Sequence, residues 1–303
     1  MSTPLSDNIT LQAAAAWAGQ QHYPAATLYM VATPIGNLAD ITLRALHTLT
    51  LMDAIACEDT RHSGPLLRAY GIDKPLLAVH QHNEQEGAEK IIARLQLGER
   101  IAYISDAGTP GISDPGNPLV ARVRASGLRV LPLPGASSVT TLICAAGAAQ
   151  LEAWTFIGFL SSKAQERARQ VQALGDKPEA IVLLEAPHRM AALVQALGVL
   201  GQRPITIGRE LSKQFEEIAT LPCAEAAAWL AEKSQRQQGE FALLLHPAPV
   251  ATSNQEPLRV LEILLRELPA KTAVKLAMEI TGAARNALYE HALAWKNQSE
   301  DAS

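Results

Sequence analysis

The sequence predicts an α/β fold of two α/β domains, a parallel five-stranded N-terminal sheet and a mixed C-terminal sheet, with a small helical extension behind them. Three observations carry this. Short apolar runs alternate with helical patterns through the first half, as in the strand-helix-strand units of a parallel sheet. After Gly147 the rhythm changes, and Ile205–Ile207 and Ile218–Leu221 lie so close together that an antiparallel pair suits them better than a crossover. A polar, proline-punctuated stretch from Pro247 to Pro257 then leads into short amphipathic segments.

The totals agree with this division. A length of 303 residues is about two domains of ~150 residues, each able to bury a core. With 48% hydrophobic and 18% charged residues the composition is ordinary, and no apolar run reaches the ~18 residues of a membrane span. The net charge of −4 speaks against nonspecific coating of nucleic acid but leaves room for a local basic patch. The start, MSTPLSDNIT, lacks the basic region of a secretion signal, so residues 1–26 read as a flexible, loosely attached extension. Cys57, Cys144 and Cys223 are far apart among apolar neighbours and read as reduced core residues of a cytoplasmic protein.

In the first domain, residues 27–147, Leu28–Ala32 is the first strand, ended abruptly by Thr33-Pro34-Ile35-Gly36-Asn37. Asp40 is the expected cap of a helix to Leu51, and Ala54–Cys57 is a second strand running into Glu58-Asp59-Thr60-Arg61-His62. A small helix is expected around Pro65 to Tyr70, and a third strand over Leu76–Val79. Asn83 and Glu86 have the spacing of a capping box before a helix to Leu97. Ile101–Ile104 is the fourth strand. The loop after it, SDAGTPGISDPG, is too rich in Gly and Pro for helix or sheet, and Asn117-Pro118 reads as the cap and first position of the next helix. Leu128–Leu131 is the fifth strand, leading to Pro134-Gly135-Ala136-Ser137-Ser138, and a hinge is expected near Ser137 to Gln150.

The second domain, residues 148–248, should hold strands at Trp154–Phe159, Ala180–Leu184, the Ile205 and Ile218 pair and Phe241–Leu245, with helices between. Residues 258–296 read as a helical, helix-turn-helix-like extension. In that reading Lys271, Lys275 and Arg285 stand near a phosphate backbone, although nearly balanced charges suit a solvated helical cap as well.

Strand ends and helix starts of open α/β sheets leave backbone donors and space unfilled, so three loops draw attention: 33–37, 105–116 and 134–138. Asp106 and Asp114 in the middle loop need water or a ligand as partners. The chain has no P-loop, no G-x-G-x-x-G and no H-E-x-x-H motif. His80 and His82 with Glu84 form a conceivable metal pair, but the spacing fixes no third ligand, and no metal is expected.

Five motifs stand in fixed order: VATPIGNLADIT, CEDTRHS, SDAGTPGISDPG, LPGASS and EAPHR. Together they resemble the tetrapyrrole-methylase-like class of S-adenosylmethionine methyltransferases, from about Leu28 to His246 and more loosely through the C-terminal helices. The porphyrin branch of that class usually carries a shorter Gly-Asp-Pro loop, so SDAGTPGISDPG favours the branch acting on ribosomal RNA. The resemblance implies S-adenosyl-L-methionine as cofactor, in a pocket between the two domains. It also implies a cytidine 2′-hydroxyl in the decoding region of 16S rRNA as acceptor, the assembled small ribosomal subunit as partner, and a homodimer.

The residues fit such a pocket physically. Pro34 and Gly36 allow close approach at the first strand's end, and Asp106 has the charge to pair with an ammonium or a ribose hydroxyl. Ile112 offers packing for adenine, Ser137 and Ser138 offer hydrogen bonds, and Leu184 is a contact from the second domain. Methyl transfer to a ribose oxygen is an in-line displacement that needs alignment, exclusion of water and a base. Glu58, Glu185 and Glu210 are the candidate bases, with Asp59 and His82 behind them. Arg61, His188, Arg189, Arg209 and Lys213 are candidate RNA contacts, although Arg209 beside Glu210 also reads as an ion pair. The rival readings are C-methylation of a tetrapyrrole and a non-catalytic RNA-binding assembly factor.

Overall fold

The computed structural model describes residues 8–80, 83–113, 116–148, 151–175, 177–248, 255–285 and 288–293. Its first sheet contains β1 (Thr27–Val31), β2 (Ala54–Cys57), β3 (Leu76–Ala78), β4 (Arg100–Ile104) and β5 (Arg129–Leu133). They lie in the order β3-β2-β4-β1-β5, and every pair is parallel, as expected. The strands read as continuous apolar runs because both faces are covered. Tyr29 and Val31 point to one side, where Leu46 and Leu49 of α2 (Leu43–Leu51) and Leu67 of α3 (Thr60–Ala69) meet them. Leu28 and Met30 point to the other, against Ile91 and Leu95 of α4 (Glu84–Gln96) and Leu119 and Val123 of α5 (Asn117–Ala125). Each of these fully buried leucines contributes roughly 1.5–3 kcal/mol relative to exposure.

Several local expectations change. Residues 9–18 are not loose: they form α1 (Ile9–Ala18), which buries Leu11, Ala14 and Ala18, with Leu11 and Ala14 in the same core as Leu46. Its alanine-rich sequence shows little apolar contrast around the helix, which hides it from a periodicity reading. Thr42, rather than Asp40, caps α2, its hydroxyl accepting from the Ala45 N–H at 3.0 Å. Asp59 caps α3, which therefore begins five residues before Pro65. Asn83 forms no capping bond; its side chain turns back to accept from the His80 N–H and to donate to the Ala78 carbonyl. Gly116, with φ +138, occupies the cap position expected of Asn117, whose amide donates to the Gly111 carbonyl instead.

The second sheet contains β6 (Trp154–Gly158), β7 (Ala180–Glu185), β8 (Pro204–Arg209), β9 (Glu217–Pro222) and β10 (Phe241–Leu245), in the order β6-β7-β10-β8-β9. Only β6 and β7 pair in parallel; the other three pairings are antiparallel, including the expected β8–β9 pair. One face packs α7 (Ala164–Gly175), α8 (Pro187–Leu197) and α9 (Ala226–Glu232). The other face packs the helix α6 (Ser138–Ala145), which fills much of the stretch expected as a hinge. Val139 and Leu142 of α6 share a cluster with Val182 and Leu244 of the sheet and with Ile35 of the loop after β1. The two sheets therefore share one compact unit, residues 1–175 and 179–246.

Residues from Pro247 on belong to a second unit. It contains α10 (Gln255–Leu265), α11 (Ala270–Thr281) and a helical stretch at 288–293, packed around Leu261, Val274, Ala277 and Leu288. Gly282 takes the left-handed conformation, φ +69, and its N–H donates to the Met278 carbonyl to end α11. Among the described residues no helix is long and apolar enough to cross a membrane.

Candidate active site

β1 and β4 are neighbours, yet the chain leaves β1 toward β2 on one side and leaves β4 toward β5 on the other. Loops that depart in opposite directions from adjacent carboxyl ends open a crevice. Here the three loops are also tied to one another. Thr33 and Gly108 exchange both backbone hydrogen bonds, at 2.9 and 3.0 Å, and the Thr33 hydroxyl donates to the Ser105 carbonyl. The Thr109 hydroxyl donates to the carbonyl of Ala136 at 2.9 Å. Two glycines allow this closeness: Gly108 sits at φ +78 against Ile35, and a Cβ on Gly135 would stand 2.6 Å from the Ala32 Cβ. The three bends thus share one rim of the first sheet.

Between this rim and the second sheet lies a cleft of about 340 Å³, walled by Ile35, Ala107, Ser113 and Ser138 from below and Phe159, Leu184, Glu185, Leu211, Glu240 and Ala242 from above. A smaller recess of about 90 Å³ shares several of these residues and reaches Ile112 and Ser137. Of the expected cofactor contacts, Ile112, Ser137, Ser138 and Leu184 line this space. Pro34, Gly36 and Asp106 flank the lining residues Ile35 and Ala107 instead of forming the wall. Gly36 does meet a close neighbour, but it is Lys213: a Cβ at Gly36 would lie 2.4 Å from the lysine chain.

The candidate bases separate sharply. Glu185 ends β7 and lines the cleft with only 3% of its surface exposed. Its Oε1 accepts from the Ala186 N–H at 2.9 Å and lies 3.0 Å from Arg189 Nε, while its Oε2 is buried without a hydrogen-bond partner among the described residues. Glu210 is committed elsewhere, because its Oε1 accepts from Lys213 Nζ at 2.9 Å and from the Glu240 N–H at 2.8 Å. Burial works to raise the Glu210 pKa, but the hydrogen bond from Lys213 prevails and holds it below its ordinary value. Glu58 follows β2, one strand beyond β4, and is not in the cleft wall. Arg61 holds the Asp59 carboxyl down at about 2, so that group is a weak base. His82 and Asp114 lie outside the described residues.

Residues 27–227 match the family Tetrapyrrole (Corrin/Porphyrin) Methylases, and residues 251–296 match the RsmI C-terminal HTH domain. Ribosomal RNA small subunit methyltransferase I of Pseudomonas aeruginosa is 46% identical over 281 residues, spanning 91% of this chain and 99% of its own. The chain belongs to the ribosomal RNA small subunit methyltransferase I family. The member from Escherichia coli O157:H7 is 45% identical over 270 residues, 88% of this chain and 94% of its own. Solved structures share this family's fold at low identity. Cobalt precorrin-4 methyltransferase, CbiF, superposes with a TM-score of 0.53 at 14% identity, over 72% of this chain and 94% of its own. Uroporphyrin-III C-methyltransferase from Thermus thermophilus, complexed with S-adenosyl homocysteine, gives 0.50 at 16% identity, over 72% and 96%.

In this member of the family the expected RNA contacts divide into exposed and occupied groups. Arg61 is exposed and His188 is exposed. Arg209, by contrast, is buried, and its guanidinium donates to the carbonyls of Gln238 and Phe215, so it is a structural clamp and not a phosphate contact. Arg189 donates to the Leu160 carbonyl, and Lys213 bridges Glu210 and Glu240. Sequence reasoning missed Ala107, Ser113, Phe159, Leu211 and Glu240. Ser113 stood inside a quoted motif, and Phe159 signals itself only as an apolar residue at a strand end. Glu240 had no signal: β10 runs antiparallel, with Phe241 opposite both Glu185 and Arg209, and that brings its amino end to the rim where β7 and β8 finish.

Proposed function

We propose that this chain transfers a methyl group from S-adenosylmethionine to the 2′-oxygen of a cytidine in the decoding region of 16S ribosomal RNA, acting in the cytoplasm as a homodimer on the small ribosomal subunit. Kinship to the ribosomal RNA small subunit methyltransferases supports the acceptor class. The observation that carries the site is the cleft with, in its wall, a buried carboxylate oxygen that has no partner among the described residues.

The residues present fit the donor. Ile35, Leu184, Leu211 and Ala242 offer an apolar bed for a planar base, and Ser137 and Ser138 offer hydroxyls beside it. The buried Asp106 Oδ1, also without a hydrogen-bond partner among the described residues, lies one residue from the wall at Ala107 and is a counter-charge for a cationic group. When bound, S-adenosylmethionine supplies an electrophilic methyl carbon on a sulfonium. Glu185 then has one oxygen fixed by the Ala186 N–H and Arg189 and the other free to take the proton of the ribose hydroxyl as that oxygen attacks. The two sheets, meeting across the cleft, would hold the acceptor oxygen and the donor's methyl carbon near one another and limit the access of water.

Labelled-methyl transfer to small subunits from cells lacking this chain tests the reading. The expected product is a single methylated cytidine ribose, located by mass spectrometry. Transfer only to a porphyrinoid, or none to any RNA, overturns it.

A further inference from the structure

The C-terminal unit carries a second concave site, separate in the chain from the residues of the methyl-transfer cleft. A cavity of about 290 Å³ is lined by Lys271, Val274, Lys275, Met278, Arg285 and Tyr289. The first four fall at i, i+3, i+4 and i+7 on α11, so they share one helical face. Arg285 and Tyr289 are four residues apart beyond the Gly282 turn. The lining is layered. Val274 is buried and Met278 packs on the unit's core, giving an apolar floor, while three cations and a half-exposed phenol ring form the rim. Among the described residues no acidic side chain lines it, in a chain whose net charge is −4. Lys271 and Arg285 form no ion pair among the described residues, and Lys275 reaches Glu279 only at 3.9 Å with both side chains exposed, a pairing of little strength.

We propose that this cavity is an RNA subsite that takes a single-stranded segment of the substrate, with one base against Tyr289 and the apolar floor and the flanking phosphates on Lys271, Lys275 and Arg285. The inference rests on the ribosomal RNA reading of the cleft and names a place where that RNA is held. Three cations without a floor would suit any anion. A ring beside an apolar floor, in a space of about 290 Å³ with room for a base and rimmed by positive charge, matches the planar base and charged backbone of a nucleotide. An acidic peptide supplies the charge but leaves the floor and ring unused.

The test uses the full chain and a fluorescein-labelled single-stranded RNA from the decoding region, with binding followed by anisotropy across a salt series. K271E/K275E/R285E is expected to weaken RNA binding at least tenfold near 0.1 M salt. The slope of log affinity against log salt should fall by about two, since each lost phosphate contact on a single strand removes ~0.7. Y289A should weaken binding about tenfold with the slope unchanged, and Y289F should keep the parent affinity. Uptake of S-adenosylmethionine, read by calorimetry on the same variants, should not move. K271Q/K275Q/R285Q, which removes charge without adding any, should give a smaller loss in the same direction. Unchanged affinity and slope in both triple variants overturn the proposal, as does intact RNA binding with lost affinity for a polyglutamate peptide. Failure of the chain to methylate any RNA, with these binding changes intact, would instead count against the cleft reading alone.

Discussion

Two strand-end corners of the second sheet meet the same cleft region with opposite electrostatics. At the end of β7, Glu185 is buried and half satisfied, with one acceptor oxygen that has no partner among the described residues. At the end of β8, every charge is matched: Arg209 on two carbonyls, Glu210 and Glu240 on Lys213, and Ser212 donating to Asp40 of the loop after β1. Glu210 and Ser212 also hold positive φ values of 51° and 67°, a turn kept in place by those bonds. The lesson is that a charged residue at a strand end announces a site only when its polar atoms lack partners. Complete pairing marks scaffold.

The largest break in this comparison comes from Glu185→Gln, which should lower methyl transfer about 10²–10⁴-fold with donor binding kept. Glu210→Gln should keep turnover within a few-fold. Equal losses from the two would erase the distinction. Next in size, Arg209→Ala should destabilise by about 1–3 kcal/mol in chemical denaturation, because the buried guanidinium and its charge-assisted hydrogen bonds to the Gln238 and Phe215 carbonyls are lost. Its RNA salt slope should stay unchanged, and a shallower slope would return Arg209 to the RNA contacts.

Legibility followed the same line. The strands and their parallel pairing were readable because apolar runs alternating with helices call for crossovers, while the order β3-β2-β4-β1-β5 was not, and the three glycine-rich bends were readable because only such composition permits the closeness of Gly135 to Ala32. The fates of Arg209 and Gly36 were not, since a side chain's partner depends on what tertiary structure places beside it. Gly36 looked like room for a ligand and proved to be room for Lys213. The helix α1 was hidden by its uniform alanine face, and Glu240 by an antiparallel strand whose amino end counts as rim.

A smaller effect sharpens the comparison by pH. The Glu210 carboxyl is held below its ordinary value of 4.5, so its contribution to stability is present above that pH and fades as pH falls through the lower folded value. The stability gap between the parent and Glu210→Gln should therefore close on acidification below about pH 4; a gap that widens there would mean Lys213 does not hold the carboxylate. Smallest of all, Arg61→Glu should shift the RNA salt slope by no more than about one phosphate contact, because Arg61 is exposed and already shared with Asp59.

The most direct measurement is calorimetric titration of S-adenosylmethionine into the parent chain and into Ala107→Trp, which fills the cleft from an exposed lining position. One donor should bind per parent chain, and the filled cleft should bind none. Absence of uptake by the parent, or equal affinity in both, would contradict a donor site between the rim of the first sheet and the second.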